Sequence, residues 1–212
     1  EVEQTGIAAN ADANTLRARL GAKTGEFLDT SLLVEGEAMT RLDRSYRPDN
    51  SVPTYARYPL VADPDNLVVN RLQLSNRSLP QTTITVGRQV INLDDQRFVG
   101  NTGWRQNEVT FDAVRMENRS IPNLDLDLTV LDRVNRIYGQ DSPQGAYKGN
   151  SYLINAGYRT PIGTVSGFAY LLDFNAITGL TGALDPRRGS TTARPEDGRA
   201  AARQTSTGRR QA

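Results

Sequence analysis

The run "LDLDLTVLDRV", residues 124–134, decides the fold class of this chain of 212 residues. Apolar side chains take every second position and polar ones lie between them: Leu124, Leu126, Leu128 and Val130 against Asp125, Asp127 and Thr129. Side chains of a β-strand alternate between two faces, whereas a helix repeats its apolar positions every three or four residues. The run therefore predicts a strand with one apolar and one charged face.

Alternation of this kind recurs along most of the chain, and helical spacing is scarce. Seven further runs show it: "TLRARLGAK", "SLLVEGEAM", "LVVNRLQLSNRS", "TTITVGRQVI", "NEVTFDAVRM", "SYLINAGYR" and "TVSGFAYLLDF". In the third of these, Val68, Leu72 and Leu74 are predicted on the apolar face, opposite Arg71 and Arg77. About eight strands of about 8 to 12 residues result, longer than an average strand and close to the length that crosses a bilayer at a tilt.

Short and long connections alternate between these strands. The short ones are "GEFLD", "LPQ", "RSIPN" and "TPIG", and the long ones are "RLDRSYRPDNSVPTYARYPLVADPDN", "NLDDQRFVGNTGWRQ" and "NRIYGQDSPQGAYKGN". Outer-membrane barrels have this arrangement, because tight turns join strands on the periplasmic side and loops join them outside. The predicted fold is all-β, an antiparallel up-and-down transmembrane β-barrel of which about eight strands are present. A soluble antiparallel sheet with one wet face is the alternative.

Composition excludes several kinds of chemistry. The chain has no Cys and no His, so thiolate nucleophiles, disulfides and catalytic or metal sites that need imidazole are ruled out. The formal net charge of +1 gives no overall field that would attract nucleic acid. We therefore expect no enzyme, no cofactor, no metal and no nucleic-acid partner.

The character of the sequence changes after residue 180. Residues 181–212 contain no aromatic residue and, after Leu184, no large aliphatic one. Such a segment buries too little apolar surface to offset the entropy lost on ordering, so a disordered tail is expected. Its bias toward Arg, Ala, Gly, Thr and Pro leaves two interpretations, a non-native tail translated out of register or a genuine basic tail. The domain division is 1–180 for the partial barrel and 181–212 for the tail.

A resemblance to a known family rests on residues 87–114, "GRQVINLDDQRFVGNTGWRQNEVTFDAV". This stretch resembles the signature of the alginate export family of outer-membrane porins in Gram-negative bacteria. Further segments resemble the family in the same order: "TLRARLGAKTGEF", "VEGEA", "VADPDNLVVNRLQLS", "LDRVNRIYG" and "FAYLLDFN". The resemblance extends over residues 1–175.

The resemblance implies a large barrel in the outer membrane of a Gram-negative bacterium. Its implied partners are outer-membrane lipid, the barrel-assembly machinery and an acidic polysaccharide. By the same resemblance, "EVEQ" at residues 1–4 is the end of a preceding strand. The signal peptide, most of that strand and the later strands would then be missing, and this chain would be an inactive truncation of the channel.

Charged side chains along the lumen are the candidate site of such a channel, because pore width, charge and hydrogen bonding govern passage. Placing the charged face inward gives Arg17, Arg19, Lys23, Arg71, Arg77 and Arg133, with Glu35, Glu37, Glu108, Asp112, Asp125 and Asp127. The planar guanidinium of Arg suits the carboxylate of an acidic sugar. The two signs are balanced, so the alternative is that Arg and carboxylate ladders on neighbouring strands hold one another in place.

Arg88 does not fit the alternation of its strand. It shares its parity with Val86 and Val90, which are predicted to face lipid. Either a bulge at Gly87 reverses the phase and turns Arg88 inward, or Arg88 lies above the hydrocarbon, where its direction costs little.

The connection that follows is long enough to fold into the mouth of a barrel. Residues 92–106 would then place Arg97 and Arg105 at a constriction. Trp104, the only Trp of the chain, has two interpretations: a stacking platform for a sugar ring, or an anchor in an interfacial aromatic girdle.

These patterns favour a passive outer-membrane channel for acidic oligosaccharides or other small anionic solutes. Two alternatives stay open at this point, a general diffusion porin without marked ion preference and a soluble β-rich carbohydrate-binding module. An enzyme has the least support, because no Ser lies in a recognisable nucleophile setting.

Overall fold

Eight antiparallel strands in chain order form one sheet in the computed structural model, which describes residues 2–49 and 53–174. The strands are β1 (Thr15–Lys23), β2 (Thr30–Arg41), β3 (Asn66–Asn76), β4 (Thr82–Gln89), β5 (Thr110–Asn118), β6 (Leu124–Asn135), β7 (Ala146–Thr160) and β8 (Gly163–Leu171). A short 3-10 helix at Pro53–Tyr55 is the only helix within the described ranges. The all-β prediction is confirmed, as are the antiparallel neighbours.

The sheet is not closed into a barrel. Strand order runs from β1 to β8, and these two strands do not pair with each other in the described part of the chain. The structure therefore shows an open, up-and-down antiparallel sheet, and closure into a barrel stays a prediction. No helix among the described residues is long and apolar enough to cross a membrane.

Tight turns and long connections alternate between the strands as predicted. Three of the tight turns end in a residue with positive φ immediately before the next strand: Asp29 (φ 55°), Gln81 (φ 49°) and Asn123 (φ 64°). Asn and Asp tolerate this left-handed conformation better than most residues, which explains two of the three positions. The described parts of the long connections, residues 42–49, 53–65, 90–109 and 136–145, all lie at the opposite end of the sheet.

One face of the sheet is apolar and exposed. Its side chains come from all eight strands and include Leu20, Val34, Leu67, Leu74, Val86, Val114, Val130, Ile154 and Val165. Leu20 is 84% exposed and Val130 50% exposed. Soluble monomers rarely leave so extended an apolar surface uncovered.

The register shifts in three strand pairs, β2–β3, β5–β6 and β6–β7, and the first of these shifts corrects one sequence-based assignment. Arg71 lies opposite Glu35 and Val69 opposite Gly36, so Asn70 is an extra residue in β3. Leu67 and Val69 are consequently exposed on the same face as Leu72, whereas Val68 alternates with them and is less exposed. The prediction that Val68 shares a face with Leu72 was wrong, because a bulge reverses strict alternation. A second bulge, at Asp112/Ala113, adds Asp132 to β6.

The buried core lies on the charged face of the sheet, beneath the β4–β5 connection. Ile91, Leu93 and Val99 of that connection pack on four strand residues, Phe111, Ala113, Leu131 and Leu153. Burying an aliphatic side chain of this size stabilises a fold by about 1.5–3 kcal/mol. The connection is thus an integral layer of the fold, and we call residues 92–106 the internal segment.

Several expectations fall at the ends of the described ranges. Val2 forms an isolated bridge with Ala11, so it lies in no named strand, and the predicted preceding strand is not seen in residues 2–4. The same N-terminal stretch pairs with the β2–β3 connection through Asp12 and Ser45. The predicted tail, residues 181–212, lies outside the described residues.

Candidate functional site

Cross-strand ion pairs line the charged face of the sheet. Arg19 of β1 pairs with Glu37 of β2, and Arg71 of β3 pairs with Glu35 of β2. Arg115 Nη2 lies 2.5 Å from Asp127 Oδ2, between β5 and β6. These residues alternate with the exposed apolar ones along each strand, so the period of two places them on one surface. The interpretation that Arg and carboxylate residues hold one another in place agrees with this geometry.

Glu108 joins the internal segment to β1 and β3. Its Oε1 lies 3.1 Å from Arg19 Nη2 and accepts a hydrogen bond of 2.7 Å from Asn70 Nδ2. Asn101 Nδ2 donates to the other carboxylate oxygen of Glu108 at 2.8 Å. Asn70 also donates to Glu35, so the extra residue of the β3 bulge connects two carboxylates that sequence alternation alone would not bring together.

The internal segment crosses the charged face from β1 to β8. At one side, Arg17 Nη1 of β1 donates to the carbonyl oxygens of Arg105 (3.2 Å) and Gln106 (2.9 Å). At the other side, the ring of Phe98 lies 5.2 Å from the ring of Phe168 in β8. The segment thus lies over the charged face, and the expectation that it folds into the mouth of a barrel stays a prediction.

A buried asparagine of β7 holds the start of the internal segment. Asn155 of β7 is 8% exposed, and its Nδ2 donates to Asp94 Oδ2 at 2.6 Å. Asp94 itself has a positive φ of 48°, as do Gln96 (62°) and Thr102 (52°). Non-glycine residues in this conformation are uncommon, and three in one segment indicate that surrounding contacts hold its path.

The predicted constriction residues lie on this segment. Arg97 is exposed and stands over the ring of Phe98, with its Cζ 6.0 Å from the ring centre. Arg105 Cζ lies 4.4 Å above the ring of Trp104, which is 75% exposed. Trp104 therefore lies on a segment that packs against the charged face, rather than on one of the exposed apolar strand faces.

Arg88 is held by its neighbour in β5 and by the edge of β3. Its Nε and Nη2 bond to the two carboxylate oxygens of Asp112 at 2.7 and 3.0 Å, and its Nη1 donates to the carbonyl oxygen of Val69 at 3.0 Å. Pairing of β4 with both neighbours continues through Gly87 without a register shift, so no bulge forms there. Gly87 instead has a φ of 112° and passes close to Leu72, where a Cβ would lie 2.3 Å from the carbonyl oxygen.

The pairing of β3 with β4 is incomplete, and we call this place the seam. The two strands pair only from Leu72 to Asn76 of β3. Beyond Leu72, side chains instead of the β4 backbone donate hydrogen bonds to the carbonyl oxygens of β3. Arg88 binds the carbonyl of Val69, and Gln140 Nε2 binds the carbonyl of Leu67 at 3.1 Å. Asn66 Nδ2 also donates to Asn107 Oδ1 at 2.9 Å.

The other candidate residues are spread along the sheet. Asp125 bonds to Arg159 Nη2 at 2.8 Å, and Arg77 Nη1 lies 2.5 Å from Glu26 Oε1 near the tight turns. Lys23 is exposed at the end of β1. Arg133 lies at the opposite end, beside the seam. The structure thus brings Arg19, Glu35, Glu37, Arg71 and Glu108 into one network, and the remaining candidates lie outside it.

The described parts of the connection between β2 and β3, residues 42–49 and 53–65, lie at the same end of the sheet as the seam. Asp65 accepts hydrogen bonds from the backbone N of Arg41 (2.7 Å) and from its Nε (3.0 Å). Burial acts to raise the pKa of the Asp65 carboxyl, but the bonds from Arg41 outweigh it and hold that pKa below its ordinary value. Tyr46 is fully buried, which raises the pKa of its phenol, and its hydroxyl donates to the carbonyl of Asp63.

Sequence reasoning missed the asparagines of the site. Asn70, Asn107 and Asn155 are each less than a tenth exposed and connect elements far apart in the chain. The available signal was an amide inside a strand pattern, as at Asn70 in "VVNRL", because a buried amide needs hydrogen-bond partners.

The described residues contain no group of three or more acidic residues placed to hold a metal ion. Comparison with known proteins gave no match to a family model, to a curated protein or to a solved structure.

Proposed function

We propose that this chain is part of an outer-membrane channel that passes acidic oligosaccharides or other small anionic solutes. The observation that carries the proposal is the division of the sheet into an exposed apolar face and a charged face crossed by the internal segment. The resemblance to the alginate export family agrees with it.

Lipid is the environment that suits the apolar face. Every strand exposes Leu, Val or Ile side chains. Exposure of such apolar surface to water costs roughly 25 cal/mol per Å², and contact with hydrocarbon removes that cost. Within hydrocarbon every backbone N–H and C=O must be paired, so the edges at β1 and β8 require further strands. The functional channel is accordingly a closed barrel that includes this sheet.

Uncompensated cations support a preference for anions. Among the described residues, four cations near the internal segment and on β1 take part in no salt bridge: Arg17, Lys23, Arg97 and Arg105. Charges without a partner act on a passing solute, whereas the paired Arg71 and Arg115 largely cancel with their carboxylates. In this proposal Trp104 and Phe98 offer exposed rings to sugar faces beside Arg97 and Arg105.

A general diffusion porin is the second candidate, and the ion pairs of the charged face favour it. Arg19, Arg71, Arg88 and Arg115 each have a carboxylate within salt-bridge distance. A wall neutralised in this way selects by size more than by charge.

Planar-bilayer recordings of the protein distinguish these functions. We expect channels whose reversal potential in a KCl gradient shows anion preference, and whose current is reduced by alginate oligomers but not by neutral maltooligosaccharides. The double variant Arg97→Gln and Arg105→Gln should lose most of this preference, whereas Arg159→Gln near the tight turns should retain it. A reversal potential near zero in the wild type would favour the general porin, and a folded protein without any channel would overturn both.

A further inference from the structure

A small cleft opens at the seam, on the end of the sheet that carries the long connections. Its volume is about 130 Å³, which exceeds what one water molecule needs and accommodates several waters or one small organic anion. The first half of β3 and the last residues of β6 contribute to its wall, together with the 136–145 connection. The cleft is separate from the arginines of the internal segment, since Arg97 and Arg105 do not line it.

Two hydrogen-bond donors in the wall of this cleft have no acceptor within the described part of the chain. Asn107 is 2% exposed, and its Oδ1 accepts from Asn66, but its Nδ2 is buried and unpaired. The Nε of Arg133 is likewise buried and without a partner. A buried donor without an acceptor costs about 1–3 kcal/mol, and more when it is charged. Two such donors at one cavity point to an acceptor that occupies it.

The charges around the cleft leave a positive excess. Its carboxylates are already bound: Glu37 to Arg19, Glu108 to Arg19 and Asn70. By contrast, among the described residues neither Arg133 nor Arg136 takes part in a salt bridge. A monoanion suits this balance better than a dianion, which would repel the two nearby glutamates.

We infer that this cleft binds a carboxylate group through Asn107 and Arg133. A carboxylate supplies two acceptor oxygens and one negative charge, which matches two unpaired donors and the uncompensated guanidinium groups. Arg136 is positioned by its own contacts, with Nη1 donating to the carbonyl of Gln144 at 2.9 Å and Cζ 4.3 Å above the ring of Tyr147. The carboxylate comes either from a free small acid or from a uronic acid residue of a saccharide.

The site does not depend on channel activity, because a wall can bind a carboxylate whether or not solute crosses. Binding is measured on the folded protein in detergent, by the shift of its unfolding temperature with added ligand and by titration calorimetry. The probes are sodium acetate, sodium galacturonate, galactose and sodium chloride at matched ionic strength. A ligand that binds only the folded state raises the unfolding temperature as its concentration passes its Kd.

We expect acetate and galacturonate to bind and to compete with each other, and galactose not to bind. Preference for galacturonate over acetate assigns the site to the sugar acid, and equal binding assigns it to free acids. Arg133→Gln and Asn107→Leu should each weaken binding on the order of tenfold or more, because each removes one donor to a charged acceptor. Arg159→Gln, at the end of the sheet that carries the tight turns, serves as the control and should bind as the wild type does.

Two results would overturn the inference. If acetate, galacturonate and chloride give the same shift, the cleft holds water or a halide ion and has no carboxylate site. If Arg133→Lys, which retains the charge but lacks the guanidinium Nε–H, binds as well as the wild type, the proposed donor is not used. Far-ultraviolet circular dichroism of each variant shows that loss of binding is not loss of the sheet.

Discussion

At the scale of single residues, alternation predicts the face of a side chain in a regular strand but does not explain the geometry at Gly87 and Arg88. Alternation correctly placed Arg19, Glu35 and Arg71 on one face, because a regular strand fixes the direction of each side chain. It also marked Arg88 as irregular. It could not give the reason, since a positive φ at Gly87 and a partner in the next strand depend on tertiary structure.

Gly87→Ala tests the backbone requirement at that position. The new Cβ would lie 2.3 Å from the carbonyl oxygen of Leu72, and the φ of 112° disfavours any L side chain. We expect a loss of at least about 1–3 kcal/mol in the free energy of unfolding, measured by urea titration in detergent.

Gly167→Ala is the matched control for this substitution. Gly167 lies in β8, and no atom lies within 4 Å of the position that a Cβ would take there, so we expect a change within about 0.5 kcal/mol. Equal stability of the two variants would show that the close approach of β3 and β4 is not required.

At the scale of elements, the strands were predictable and the contacts of the long connections were not. A period of two and the turn residues locate eight strands, because both signals are local. The contact between Asp94 and Asn155 leaves no local signal, because β5, β6 and part of β7 lie between these residues in the sequence. The same holds for the bulge at Asn70 in β3, whose side-chain amide donates to two glutamates on other elements.

The internal segment should loosen when its hydrogen bond to β7 is removed. Asn155→Leu leaves Asp94 without its amide donor, while Phe98 and Arg17 still hold the sides of the segment. We expect faster trypsin cleavage after Arg97 and Arg105, by several-fold, because proteolysis follows the population of the open segment. Mass spectrometry of the fragments identifies the cleavage sites.

Asn118→Leu provides the control for general destabilisation. Asn118 Nδ2 donates to Thr82 Oγ1 at 2.7 Å near the tight turns, away from the internal segment. If this variant increases cleavage at Arg97 as much as Asn155→Leu does, local release of the segment is not the cause.

At the scale of the whole molecule, the composition of the two faces is the main result that sequence could anticipate. Each strand carries its own apolar and charged sides, so the sum over eight strands gives a two-faced sheet. Local sequence patterns do not determine whether the sheet closes into a barrel. Closure depends on register shifts such as those at Asp112 and Leu131, and on the partners of the edge strands.

A charge on the apolar face should therefore interfere with membrane insertion. Val130→Lys places an ammonium between Val114 and Tyr152 on a central strand, and in lipid we expect a cost of about 2–4 kcal/mol near the bilayer midplane. The measurement is the folded fraction after refolding into lipid vesicles over a urea series. Ser166→Lys on the other face is the control, and equal loss in both variants would argue that the apolar face is not in contact with lipid.

The seam divides the sheet into a block of three strands and a block of five. Backbone pairing between the blocks ends at Leu72, and beyond it the link consists of long polar side chains, including Arg88 and Gln140. Side chains of this length tolerate changes in separation that a backbone ladder does not. Lateral pressure on the sheet would accordingly concentrate its deformation at this line, as a crease, and leave the curvature of each block unchanged.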